Sequence, residues 1–161
     1  MTERTENEFQ KIDRIVEQED IEQLFLLRDN AVFAIALHQI LVNTYDNDPD
    51  SLNEVQMDLF LGMHIENAGQ GDGILAFLQE WYPEYKDRVV ESLVRIEAPK
   101  SAELIQQAIA LLPEDGSWFY ETCDKASEEL MDKLDRDFSD YPDGSMNDLY
   151  RKYADKHRPM I

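Results

Sequence analysis

Apolar residues recur along this chain with the spacing of an α-helix. They return every three or four positions, as Phe33, Leu37 and Leu41 do, and no segment has the two-residue alternation typical of a strand. Proline, glycine and short polar loops separate the stretches, and no repeat or low-complexity segment divides the chain. The pattern predicts a single all-α domain over residues 1–161, with seven or eight helices packed as an irregular bundle. The polar residues 1–8 are expected to be disordered.

Capping residues set the predicted boundaries of the helices. Ser51 and Glu54 have the spacing of a capping box that opens a helix. Asp72 starts a further helix, and Ser117 opens the longest one, which extends to about Asp135. The apolar faces of these helices predict a core that includes Phe33, Leu37, Leu59, Phe77, Trp81, Leu93, Ile105, Ile109, Leu130 and Leu149.

Charge limits the partners of the protein more strongly than any motif does. The 161 residues include 35 Asp and Glu against 15 Lys and Arg, a formal net charge of −20. Between Asp29 and Tyr85 there are ten carboxylates and not one Lys or Arg. Such a field attracts cations and basic proteins and repels nucleic acid and anionic lipid. We therefore expect a basic protein as partner and no direct binding of nucleic acid or membrane.

The remaining composition indicates a folded cytoplasmic protein. Apolar residues make up 43% of the chain, enough for a core, so the acidity is not that of a disordered tail. Cys123 is the single cysteine, which excludes an intrachain disulfide and suits a reducing compartment. The N-terminus is too polar for a signal peptide. The longest apolar run, residues 31–37, is far shorter than the ~20 residues of a membrane span.

Acidic residues form two rows with helical spacing. At ~100° per residue the first row lies opposite an apolar face that contains Phe119, Cys123 and Leu130. Same-face neighbours lie ~5–6 Å apart, comparable to the phosphates of one DNA strand, which rise ~3.4 Å per charge. An ordinary solvated helix face is the alternative interpretation. We predict a partner-binding acidic surface made of Glu121, Asp124, Glu128, Asp132 and Asp135 after Ser117, and of Asp50, Glu54 and Asp58 on an earlier helix.

No motif indicates catalysis or a metal or cofactor site. Asp46, Asp48 and Asp50 resemble the start of a calcium loop, but its sixth and twelfth positions lack the required Gly and Glu. His64 and Glu66 open a zinc deaminase pattern whose cysteine pair cannot exist here. The glycines at 69, 71 and 73 follow no predicted strand and precede no lysine, which argues against nucleotide binding. We predict no catalytic residue, no metal ligand and no cofactor.

Several segments of the chain match a known family in order and spacing; they are residues 65–69, 77–78, 89–96, 102–112, 134–138 and 149–157. Together they cover roughly residues 55–158, and they resemble the small acidic bacterial all-α proteins of the DNA-mimic protein family. The family's stretch Asn-Asn-Gly-Gly-aromatic is matched here by Asn67 and Gly69, while Gln70 stands at the aromatic position.

The resemblance implies an all-α protein that occupies the DNA-binding face of a transcription factor. Its partner would then be a basic DNA-binding protein, in agreement with the net charge of −20. Fold alone does not fix function, and two other classes stay open from the residues. One is an enzyme or metal protein of unrecognised type; the other is a protein whose acidity serves only solubility or tolerance of high salt. Composition is compatible with both a monomer and a homodimer.

Overall fold

Helices account for most of the chain that the structure describes. The computed structural model describes residues 6–161, and no strand occurs among them. Seven of the α-helices in this range have seven or more residues, which confirms the predicted all-α fold. The α-helices are α1 (Glu8–Gln18), α2 (Ile21–Leu26), α3 (Asn30–Asn47), α4 (Glu54–Gln70), α5 (Lys86–Arg95), α6 (Pro99–Ala110), α7 (Phe119–Thr122), α8 (Lys125–Ser139) and α9 (Met146–Lys156). A π-helix (Ala76–Trp81) and 3-10 turns (Pro49–Ser51, Pro83–Tyr85, Arg158–Met160) complete the fold.

The first helix begins close to the first described residue. Asn7 and Gln10 form a reciprocal capping box, and Glu8 is the first residue of α1. The expected disorder of residues 1–8 therefore does not extend to Asn7 and Glu8, while residues 1–5 lie outside the described range.

The N-terminus of α4 lies two residues later than the sequence predicts. Its capping box consists of Asn53 and Gln56, each side chain accepting from the backbone amide of the other. The predicted box of Ser51 and Glu54 is wrong, because the Ser51 hydroxyl donates to the Asp48 carbonyl within a 3-10 turn. Asparagine caps a helix as well as serine does, so this segment contains two possible capping boxes, and the structure uses the one formed by Asn53 and Gln56.

Helix α4 lies at the centre of the bundle. It packs against α3, α5, α8 and the π-helix, while α1 and α9 pack on α3 and α6 joins α5 to α8. A helix with neighbours around its circumference is apolar on several faces rather than along one stripe. Its buried residues are Val55, Asp58, Leu59, Phe60, Leu61, Gly62, Met63, Ile65 and Ala68.

Most of the predicted core is confirmed by burial. The buried members are Phe33, Leu37, Leu59, Phe77, Leu93 and Ile105, and the partly buried ones are Ile109 and Leu149. Two predicted members are wrong: Trp81 is 39% exposed and Leu130 is 41% exposed. Trp81 ends a π-helix, in which hydrogen bonds join residues five apart, and the Tyr82 amide donates to the Phe77 carbonyl. The Tyr82 ring packs 5.6 Å from that of Phe77, which leaves Trp81 at the surface.

A buried carboxylate joins three helices beside the core. Asp58 is 1% exposed and accepts hydrogen bonds from Arg88 (2.6 Å), Ser92 (2.8 Å), Arg95 (2.9 and 3.0 Å) and Tyr153 (2.6 Å). These donors come from α5 and α9. The prediction that Asp58 belongs to the acidic surface is therefore wrong, because its charge is compensated inside the protein.

A close approach between α4 and α8 requires glycine at position 69. A Cβ added there would lie 2.8 Å from Phe138 Cδ1 and 2.9 Å from its Cε1. The same turn is held by polar contacts, since the Ser139 hydroxyl donates to the Gly69 carbonyl (2.7 Å) and the Gln70 side chain donates to the Ser139 carbonyl (2.8 Å). Gly69, one of the two family-motif residues, thus sets how α8 lies on the central helix.

Replacing Asp58 by asparagine is expected to lower the free energy of unfolding by about 3 kcal/mol, because Arg88 and Arg95 lose their buried counter-charge. Urea denaturation monitored by circular dichroism measures the change. The matched control is Asp50→Asn on the exposed 3-10 turn, with an expected change within about 0.5 kcal/mol. Equal effects of the two substitutions would contradict a structural role for the Asp58 cluster.

Replacing Gly69 by alanine is expected to destabilise the protein by about 1 kcal/mol. The clash with Phe138 costs about 1–3 kcal/mol, and the gain in helix propensity offsets up to about 1 kcal/mol of it. Thermal and urea denaturation measure the difference. Gly71→Ala is the control, because a Cβ at Gly71 would meet only the Asn67 carbonyl at 3.4 Å. A Gly69→Ala variant as stable as the control would show that α8 does not depend on this contact.

Candidate protein-binding surface

The predicted long helix after Ser117 is two helices. Helix α7 ends at Thr122, Cys123 has an extended backbone, and Asp124 caps α8 by accepting from the Ser127 amide at 2.7 Å. The prediction of one helix to about Asp135 is wrong, because the Asp124 side chain satisfies the first turn of a new helix. As a result, Glu121 does not share a helix axis with the acids of α8, and Asp124 is a cap.

The carboxylates of α8 divide into two groups. Glu128, Asp132 and Asp135 fall within about 60° of the helix circumference, beside the buried stripe of Met131, Leu134 and Phe138. None of these three acids forms a salt bridge with a described residue. We call Glu128, Asp132 and Asp135 the acidic strip.

The other acids of α8 are accompanied by lysines. Lys133 lies 2.6 Å from Asp137, and Lys125 lies 4.0 Å from Glu129. These pairs fall on the circumference beyond the acidic strip, where they balance the local charge. The carboxylates of α8 without a salt bridge to a described residue are therefore the three of the strip, and the exposed Arg136 follows Asp135 directly.

The buried stripe of α8 also explains the misplaced Leu130. The stripe consists of Met131, Leu134 and Phe138, and it lies one position later than a stripe through Cys123 and Leu130. Because the chain breaks at Cys123, the apolar phase of α7 does not continue into α8. Leu130 consequently lies at the edge of the buried face.

A cleft lies alongside the acidic strip. Its volume is about 420 Å³, and it separates the N-terminal part of the π-helix region from α8. Aromatic rings and carboxylates line it together with backbone of the turn before the π-helix. We call it the aromatic–acidic cleft; its lining residues are Asp72, Gly73, Ile74, Leu75, Ala76, Glu80, Trp118, Tyr120, Met131 and Asp135.

Hydrogen bonds connect the strip to the cleft. The Tyr120 hydroxyl donates to Asp132 at 3.2 Å, and Asp135 accepts from the Ile74 amide at 2.9 Å. Burial raises the pKa of Tyr120 to about 12, and the carboxylates of Asp132, Asp135 and Glu128 add to the effect. The smaller, electrostatic part of this effect on the pKa comes from the acids on this side of α8.

The second acidic row lies elsewhere on the molecule. Asp50 is exposed in the 3-10 turn before α4, and Glu54 is the exposed first residue of that helix. Gly69, which contacts α8, lies 15 residues after Glu54, or ~22 Å along the axis of α4 at ~1.5 Å per residue. With Asp58 buried, Asp50 and Glu54 form a separate two-residue patch at the opposite end of α4.

The family-motif residues lie at the C-terminal end of α4. Gly69 contacts Phe138 as described above, while Asn67 is exposed and lines a cavity of about 90 Å³ with His38 and Glu66. Burial raises the pKa of Glu66, whose carboxylate accepts from the Tyr150 hydroxyl at 2.9 Å. Of the two motif residues, Gly69 supports the packing of α4 against α8, and Asn67 lies at the surface.

The histidines singled out by the sequence lie between α3 and α4. His38 Nε2 is 3.4 Å from His64 Nδ1, which also bonds the Phe60 carbonyl at 2.8 Å. Burial lowers the pKa of His38 to about 4 and also lowers that of His64. Among residues 6–161 no group of three or more His, Cys, Asp and Glu side chains is arranged to hold a metal ion. In the same range no helix combines the length and the apolarity needed to cross a bilayer.

Sequence reasoning missed the aromatic side of the site. Trp118 and Tyr120 line the cleft, and Gln79 fixes the chain between them by accepting from the Phe119 amide and donating to the Ser117 carbonyl. The signal that could have found them is three consecutive aromatic residues beside an acidic helix.

Comparison with protein families identifies the chain. The model of the DMP19-like protein family matches residues 50–157, which is more than half of the chain. Comparisons with curated proteins and with solved structures gave no match. The matched region begins just before α4 and ends at α9, so it contains the central helix, the aromatic–acidic cleft and the acidic strip. The chain belongs to the DMP19-like family of DNA-mimic proteins.

Proposed function

We propose that this protein acts as a DNA mimic, an acidic module that occupies the nucleic-acid-binding surface of a basic transcription factor or nucleoid protein. The observation that carries the proposal is the acidic strip, three carboxylates on one side of α8 that form no salt bridge with a described Lys or Arg. Membership of the DMP19-like family supports the same role. The net charge of −20 supplies the long-range attraction for a basic partner.

Local geometry favours the strip as the contact surface. Successive members are four and three residues apart, so their side chains lie ~5–6 Å from each other on one side of the helix. Asp132 and Asp135 are held by the Tyr120 hydroxyl and the Ile74 amide. Carboxylates with fixed positions imitate a phosphate backbone better than freely rotating ones, because less side-chain entropy is lost on binding.

The predicted acids outside the strip differ in what they contribute to the proposed binding surface. Glu121 is exposed on α7, close in sequence to the cleft residue Tyr120, and extends the negative surface. Asp124 supports the site by capping α8. Asp50 and Glu54 contribute to the overall field from the far end of α4, and Asp58 does not contribute because its charge is compensated internally.

Neutralising exposed acids at the strip is expected to slow association with the partner. The strip variant changes two acids of the strip and the neighbouring Glu121 (Glu121→Gln/Glu128→Gln/Asp132→Asn), and it keeps the cap Asp124 and the half-buried Asp135. At low salt its association rate constant should fall about tenfold, because steering by complementary charge raises such rates by 10–10³. The dependence of the rate on salt should become weaker, as is expected when charges at an interface are removed.

The experiment begins with capture of the basic partner from host lysate at low salt and its elution with a salt gradient. Association is then measured by surface plasmon resonance at several ionic strengths, with duplex DNA as a competitor. The control Asp13→Asn/Glu17→Gln/Glu22→Gln removes the same charge from exposed positions of α1 and α2. The proposal fails where both variants associate equally fast, or where DNA and this protein bind the partner simultaneously.

A further inference from the structure

The aromatic–acidic cleft has the features of a preformed site for a cationic side chain. The rings of Trp118 and Tyr120 lie 6.0 Å apart at 61° and form one wall. Asp135 and the exposed Glu80 also line the cleft. A volume of about 420 Å³ lies within the range of ~300–1,000 Å³ that is usual for binding sites.

Lining residues of the cleft are held by the segment that contains the π-helix. The Gln79 amide group accepts from the Phe119 backbone amide at 2.8 Å and donates to the Ser117 carbonyl at 2.9 Å, so it fixes the residues on either side of Trp118. Just before the π-helix, the Ile74 amide donates to the Asp135 carboxylate at 2.9 Å. π-Helices are rare and frequently accompany functional sites.

The chemistry of the lining selects among possible occupants. Trp118 offers an indole face, the best of the aromatic surfaces for a cation. The carboxylates of Asp72, Glu80 and Asp135 repel anions and accept hydrogen bonds. A guanidinium group is planar, stacks on aromatic rings and donates in a fork that matches a carboxylate, whereas an ammonium group is a compact, strongly hydrated charge.

We propose that the aromatic–acidic cleft receives an arginine side chain of the basic partner, with the guanidinium group between the Trp118 ring and the carboxylates of Asp135 and Glu80. This inference rests on the proposed function, since it supplies the anchoring contact of the same interface. The acidic strip guides the partner to the surface, and the cleft retains it. Desolvated aromatic pockets act mainly on dissociation, whereas exposed charges at a rim act mainly on association.

The first test follows the two indole N–H signals of the isotope-labelled full chain by NMR. N-acetyl-arginine amide is titrated at constant ionic strength, and N-acetyl-lysine amide serves as the comparison probe. The Trp118 signal should shift in a saturable manner, several times more strongly with arginine than with lysine, while Trp81 outside the cleft stays unchanged. Glu80→Gln should weaken the arginine response severalfold without altering the core, because Glu80 is exposed. Absence of a Trp118 response to arginine would overturn the inference.

The second test uses the partner protein. Trp118→Leu leaves the charge unchanged, so the association rate and its salt dependence should equal those of the wild type, while dissociation becomes about tenfold faster. Trp81→Leu is the matched control and should change neither rate. Should Trp118→Leu prove unfolded by circular dichroism, Glu80→Gln replaces it with an expected severalfold faster dissociation.

The two proposals fail in different ways. If Trp118→Leu dissociates from the partner at the wild-type rate, the cleft is not an anchor. The DNA-mimic proposal still stands in that case, provided that the strip variant associates more slowly than the wild type. A saturable arginine response of Trp118, together with a strip variant that associates normally, would support the cleft and overturn the strip. Equal responses of Trp118 to arginine and lysine would reduce the cleft to an unselective cation site and contradict an arginine anchor.

Discussion

The carboxylate of Asp58 is the interaction on which the arrangement of the long helices depends. Five hydrogen bonds from four side chains converge on it: Arg88, Ser92 and Arg95 of α5, and Tyr153 of α9. A buried charge is tolerated only when it is paired and fully hydrogen-bonded. The cluster therefore orients the central helix α4 against two neighbours, and the far end of α4 in turn carries the close contact with α8. Asp58 therefore helps to set where α8 and its acidic strip lie, although Asp58 does not belong to the strip.

Arginines that bond groups inside the protein help to explain why the surface is so acidic. Arg88 and Arg95 compensate Asp58, and Arg151 donates to the backbone carbonyls of Phe25 and Leu27 at the end of α2. These bonds stabilise the fold, while Arg95 also lies 4.0 Å from the exposed Glu91 and Arg151 lies 3.3 Å from the exposed Asp155. The charge of Arg88 and part of that of Arg95 thus go to a buried acid, and on α8 the three acids of the strip form no salt bridge with a described residue. The repulsion among these acids lowers stability, and the fully satisfied polar cluster beside α4 offsets part of that cost.

The sequence predicts the fold class well and the site only in part, for reasons visible at particular residues. Helical periodicity identifies the elements because it reflects which side of each helix meets the core. It places Asp58 in one row with Glu54, since nothing local reveals that two arginines, 30 and 37 positions later, approach it. It also continues one helix through Cys123, because Phe119, Cys123 and Leu130 have helical spacing in the sequence, whereas the Asp124 cap starts a new helix with a different buried stripe. Long-range pairing and local caps both override a periodic pattern.

Arrangement, rather than the number of acids, distinguishes a mimic of DNA from a generally acidic protein. Phosphates in a duplex are held in a regular array, and a partner evolved for DNA presents its arginines to fixed positions. Asp132 and Asp135 are fixed by hydrogen bonds from Tyr120 and Ile74, and the wall that carries Tyr120 is itself held by Gln79. A protein whose acidity served only solubility would gain nothing from such ordering, because solvated carboxylates act through net charge. The ordered carboxylates beside a preformed aromatic cleft are therefore the feature that favours recognition of a specific basic partner over a merely charged surface.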